Sequence, residues 1–190
     1  KALLREKYPT KEAVTTEIIN LEAILNLPKS TEAFMSDIHG EFDAFDHILR
    51  NASGNIVIKI QDLFSGQMTP QKQKVFAFLI YYPADRIEIV KKTFTDPDDL
   101  KQWYLDTFHN LLEMLRYCAT KYTRSKVRKA LDPKFVYITE ELLYGDFSTE
   151  DKHKYYAQIT DDIIALAMAD QFIIALCHTI QRLVVDHLHV

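Results

Sequence analysis

Ala33-Phe34-Met35-Ser36-Asp37-Ile38-His39-Gly40 is the stretch on which the reading of this chain turns. The short apolar run from about Glu32 to Ser36 predicts a strand. The run from Glu41 to Asn51 predicts a helix, with Phe42, Phe45, Ile48 and Leu49 on its apolar face and Asn51 to Gly54 closing it. Between strand and helix lies D-x-H-G. Alternation along a strand puts Asp37 and His39 on one side of the backbone. A carboxylate and an imidazole so placed can grip one divalent cation, and mixed oxygen and nitrogen ligation suits manganese, iron or zinc alike. Gly40 lets the chain turn away without steric penalty. The plainer reading of the same residues is a strand-end aspartate that caps the following helix, beside a solvated histidine.

Outward from this stretch the pattern is helical. Upstream, Val14, Ile18, Leu21 and Leu25 repeat at helical spacing, with Thr10 as the cap and Pro28 as the stop. Downstream, helix follows helix to about Asp186. Thr69-Pro70 reads as a cap followed by a first-turn proline, and Asp96-Pro97 and Asp132-Pro133 repeat the device. Leu100, Tyr104, Phe108, Leu111, Leu115 and Cys118 form a long stripe. Ser148 to Asp151 resembles a capping box ahead of Tyr155, Ile159 and Ile163. Ile173, Leu176, Cys177, Ile180 and Val184 line the last helix, and His187 to Val190 reads as a second strand. The expected layout is strand, long helical insertion, strand, and a crossover of this kind pairs its two strands in parallel.

Composition narrows the function classes. A formal charge of −4 and a pI of about 6.0 exclude a general nucleic-acid binder. No apolar run reaches the roughly 18 residues that a membrane-spanning helix needs. Four glycines and six prolines are too few for extensive loops. Cys118 and Cys177 sit inside apolar helical runs, as buried free thiols do in a reducing cytosol.

Several segments together resemble one family. Ala13 to Pro28, Ser36-Asp-Ile-His-Gly-Glu-Phe-Asp-Ala-Phe-Asp-His-Ile-Leu49, Lys121 to Leu131 and Gln181 to Val190 resemble, in order, the amino-terminal part of class III fructose-1,6-bisphosphatase. This bacterial type is built on the calcineurin-like metallophosphoesterase fold. The resemblance implies an α/β parent, a metallophosphoesterase sandwich, of which this chain is a mainly α-helical part with one or two short parallel strands. It assigns residues 1–54 to the amino-terminal helix, first strand and metal-motif helix, 55–186 to a helical insertion, and 187–190 to the start of the second strand.

The superfamily's second and third motifs, G-D-x-x-D-R-G and G-N-H-E, do not occur in these residues. By resemblance the second would begin immediately after Val190. The expectation is therefore a piece of a longer protein, opening inside a helix at Lys1. Its intact parent would remove the 1-phosphate of fructose 1,6-bisphosphate in gluconeogenesis, in the cytoplasm, with two divalent ions that the resemblance makes manganese. Asp37 and His39 would be metal ligands. No catalytic residue is assigned within the chain, and two ligands alone are expected to bind metal weakly and to hydrolyse nothing.

Other candidates carry less. Alternation sets His187 and His189 on one face, where they could orient a ligand from behind, clip a metal, or simply pack. Arg124, Lys126, Arg128 and Lys129, with Lys121 nearby, form the densest positive run. It suits a phosphate group or a nucleotide or phosphometabolite effector, and equally a solvated helix face paired with carboxylates. Tyr81-Tyr82, Tyr155-Tyr156 and Trp103 read as packing residues. Competing functions are a phosphoprotein or dinucleoside polyphosphate hydrolase on the same fold, and a non-catalytic helical module for effector binding or homo-oligomerisation.

Overall fold

A computed structural model describes residues 2–29, 31–36, 38–146 and 148–189. Among them the chain order is α1 (Ala2–Lys7), α2 (Lys11–Ile24), β1 (Glu32–Phe34), α3 (Phe42–Asn51), α4 (Asn55–Leu63), α5 (Pro70–Tyr81), α6 (Pro83–Lys91), α7 (Pro97–Ala119), α8 (Arg124–Ala130), α9 (Val136–Tyr144), α10 (Glu150–Ala165), α11 (Ala169–Val184) and β2 (His187–His189). The two strands pair in parallel, with Glu32 opposite His187 and Phe34 opposite His189. One more bond at each end extends the ladder: Asp186 N donates to Thr31 O, and Met35 N to His189 O. Parallel pairing across the helical insertion is what the sequence pattern implies. The first strand, however, stops at Phe34, short of the expected Ser36.

Helices α7 and α11 form the centre of the bundle. Phe108, Leu111, Leu115 and Cys118 on α7 are fully buried, as are Phe172, Ile173, Cys177 and Ile180 on α11. Ring contacts of Phe172 with Phe108 and with Phe135, at 5.2 and 5.3 Å, close the middle. A polar tie holds three helices in register. Tyr104 of α7 donates to Asp170 of α11 at 2.6 Å, and Lys91 of α6 reaches the other carboxylate oxygen at 2.7 Å. Both cysteines are free and buried, and burial pushes the Cys118 thiol up to about 11.

Local chemistry sets five of the helix starts. The hydroxyls of Thr10, Thr69, Thr123 and Thr149 accept from the amides of Ala13, Lys72, Lys126 and Lys152, and Asp96 accepts from Asp98 N. Pro70 and Pro97 occupy the first turn, as expected. Two expected caps are displaced. Asp132-Pro133 makes a turn instead: Asp132 accepts from Lys134 N, and the helix begins only at Val136. The cap of α10 is Thr149 rather than Ser148, whose amide donates to Asp146. In line with that shift, α10 buries Tyr156 and Ile163 while Tyr155 stays 37% exposed.

The amino-terminal elements differ from the bundle. The expected stripe of α2 is uncovered: Val14, Ile18, Leu21 and Leu25 are 40, 49, 51 and 84% exposed. On α3 the apolar residues Phe42 and Leu49 are exposed, and polar groups make the docking contacts. His47 Nδ1 lies 2.6 Å from Tyr82 Oη, and Arg50 caps Tyr81 O at 3.4 Å while pairing with Asp46. No single helix among the described residues is long and apolar enough to cross a membrane.

Candidate functional site

The D-x-H-G segment follows the carboxyl end of β1. Asp37 lies outside the described residues. Ile38 O accepts from Glu41 N at 3.0 Å and Gly40 O from Phe42 N at 2.9 Å, which makes a tight turn into α3. His39 and Gly40 both take left-handed backbone, with φ of 51 and 76°. Gly40 holds that conformation without penalty, and histidine is among the side chains that tolerate it best. Strand alternation therefore does not place His39. Among the described residues the Met35–His189 bond is the last of the ladder, and the turn at Ile38 to Phe42 follows it. The histidine is exposed at the rim where the strand pair gives way to α3.

On the strand pair, register puts Glu32, Phe34, His187 and His189 on one face. The His189 ring stacks on Phe34 with centroids 4.5 Å apart and planes within 10°. Its Nε2 lies 3.3 Å from Glu32 Oε2. His187 is exposed beside them. The fixed imidazole is thus His189, and the residues that fix it, Glu32 and Phe34, were not singled out in the sequence. The signal was there in their i, i+2 spacing, but it becomes readable only once the partner strand and its register are known.

The basic run does not form one patch. Lys121 Nζ donates to Thr31 Oγ1 at 2.9 Å and to Val184 O at 3.3 Å, tying the approach to β1 to the end of α11. Burial lowers its pKa, with Lys59 adding to the effect. Lys126 pairs with Asp186 at 2.7 Å, and the Asp186 side chain is only 3% exposed. Burial alone would push that carboxyl up; hydrogen bonding by Lys126 and the positive charges of Lys126 and Lys121 outweigh it and hold the group below the usual carboxylate range. Lys126 and Lys129 line a recess between α2, α8 and α11. Arg124 and Arg128 face the other way, toward Tyr144 and Glu140, with Arg124 over the Tyr144 ring at 4.7 Å and Arg128 3.7 Å from the Glu140 carboxylate.

The fold and site define a class first: a helical bundle inserted between two short parallel strands, with a histidine-bearing turn at the carboxyl end of the first. Comparison supplies the family. A family model described as Firmicute fructose-1,6-bisphosphatase matches residues 1–190, and the chain belongs to that family. The class 3 fructose-1,6-bisphosphatase of Ligilactobacillus salivarius is 62% identical over 188 residues, covering 99% of this chain and 29% of the relative. That of Latilactobacillus sakei is 59% identical over 187 residues, 98% of this chain and 29% of the relative. The Bacillus velezensis protein of the same name is 51% identical over 188 residues, again 99% and 29%. The chain thus spans less than a third of the length of these relatives. No solved structure matches it.

Proposed function

We propose that this chain is part of a metal-dependent phosphoric monoester hydrolase that removes the 1-phosphate of fructose 1,6-bisphosphate. The observation that supports this most is the family match along all 190 residues, together with the turn at the carboxyl end of a parallel strand. Ligands of open α/β sheets gather at such ends. Asp37 and His39 would contribute an oxygen and a nitrogen donor to a divalent cation, manganese by family. Among the described residues no group of three His, Cys, Asp or Glu side chains can hold a metal. The rest of the cage would therefore come from parts of the longer protein. When bound, such cations lower the pKa of water and neutralise phosphoryl charge.

The chain's own residues do the positioning. His39 is carried by a hydrogen-bonded turn whose following helix is fastened to the bundle through His47–Tyr82 and Arg50–Tyr81. His189, held by Glu32 and Phe34 on the neighbouring strand, would orient groups at the same sheet. Residues 1–54 and 187–190 would belong to the phosphoesterase sandwich and 55–186 to its helical insertion. Nucleotide or phosphometabolite control through the α8 cations, homo-oligomerisation and a cytoplasmic setting complete the proposal.

The test is phosphate release from fructose 1,6-bisphosphate by the full protein containing this chain. His39→Ala is expected to lower turnover by at least about a hundredfold, in keeping with the loss of a metal-site donor. Wild-type turnover in the variant, or release confined to phosphoproteins or dinucleoside polyphosphates, would overturn the proposal.

A further inference from the structure

A concave recess of about 520 Å³ opens on the side of the bundle formed by α5, α6 and α7. That size suits a small organic ligand. One helical stripe of α5, including Lys72, Val75 and Phe76, forms one wall; Arg86 of α6 and Trp103 and Asp106 of α7 form the others. Phe64, Phe76 and Leu79 of the apolar lining are buried, while Val75 is 43% exposed although it faces the concavity. Trp103 is the sole tryptophan of the chain.

What sets this recess apart is its charge. In the other recesses Arg116 pairs with Glu113, Lys126 with Asp186, Arg128 with Glu140 and Arg182 with Ala130 O, while Lys129 points into solvent as an exposed side chain. Arg86 and Lys72 have no side-chain partner among the described residues. Arg86 is moreover partly buried. A half-buried guanidinium with five unused donors is matched by an oxyanion. Asp106, the one carboxylate on the wall, accepts from Gln102 at 2.8 Å, and a carboxylate there opposes a polyanion.

We infer that this recess binds a small amphipathic anion: an apolar, preferably flat, body against Phe76, Val75 and Trp103, carrying a single anionic head held by Arg86 and Lys72. The site stands apart from the D-x-H-G turn and does not depend on the proposed hydrolase activity.

The experiment follows Trp103 emission while the chain is titrated with 8-anilinonaphthalene-1-sulfonate, with its neutral counterpart N-phenyl-1-naphthylamine, and with sulfate alone. The sulfonate is expected to quench Trp103 saturably. Arg86→Gln should weaken it roughly tenfold and Lys72→Gln less, in keeping with a charge-assisted bond. Arg86→Lys should keep most of the affinity, and Ile18→Gln, on the uncovered stripe of α2, all of it. The neutral probe should bind more weakly than the sulfonate and respond to neither charge variant, and sulfate alone should not saturate. Circular dichroism checks that each variant keeps its helices. Equal affinity of the two probes, an unaffected Arg86→Gln, or no saturable change at Trp103 would overturn the inference. So would a signal that follows protein rather than probe concentration, which assigns the recess to a second copy of the chain.

Discussion

Helices α2 and α11 both carry apolar residues at helical spacing, yet on one they are uncovered and on the other they are the centre of a core. On α11, Phe172, Ile173, Leu176 and Ile180 are at most 1% exposed; on α2 no residue is buried. The difference lies in the partners. Helix α11 meets α5, α6, α7 and α8, whereas the stripe of α2 meets nothing among the described residues that covers it. An amphipathic pattern states which face of a helix is to be buried, and says nothing of where the cover comes from.

The comparison breaks most readily at Phe172. Phe172→Ala removes a fully buried ring from between Phe108 and Phe135 and is expected to cost about 3–5 kcal/mol. Ile18→Ala on α2 should cost within about 0.5 kcal/mol. Urea unfolding read by circular dichroism checks both. Comparable losses at the two sites would mean that α2 is covered in solution.

A smaller effect is expected where the bundle closes without slack. A Cβ at Gly145 would run into the ring of Tyr156, which is buried, and into Glu141 O. Gly145→Ala should cost about 1–3 kcal/mol, visible in the urea midpoint. Tyr104→Phe sharpens the picture further. It removes the donor to Asp170 but leaves Lys91 on the same carboxylate, so a loss of about 1 kcal/mol is expected. A much larger loss would show that the tyrosine, not the lysine, keeps that carboxylate in place.

Much of the bundle was legible because its signals are local. Thr69-Pro70 and Asp96-Pro97 start helices by satisfying amides within three residues, and the stripes of α7 and α11 point to the faces they bury. Where two adjacent residues offer the same chemistry, sequence alone does not choose. Ser148 and Thr149 are both capping residues, and Tyr155 and Tyr156 are both aromatic; a shift of one position moves cap and core together. Asp132-Pro133 went astray because an aspartate before proline suits a turn as well as a helix start.

The site was legible in kind rather than in geometry. His39 stands at the carboxyl end of the first strand, but the strand is three residues long, so a turn and not alternation sets its direction. Strand length depends on how far the partner runs, and that partner lies about 150 residues away. The Glu32–His189 and Phe34–His189 contacts depend on the same distant register.

Manganese-induced broadening in the NMR spectrum of the chain tests the cation grip of the D-x-H-G turn most directly. The proposal predicts that substoichiometric Mn2+ broadens the imidazole signals of His39 first, that those of His153 on α10 persist, and that Asp37→Asn removes the difference. Uniform broadening of both histidines, or an unchanged pattern in Asp37→Asn, would contradict it.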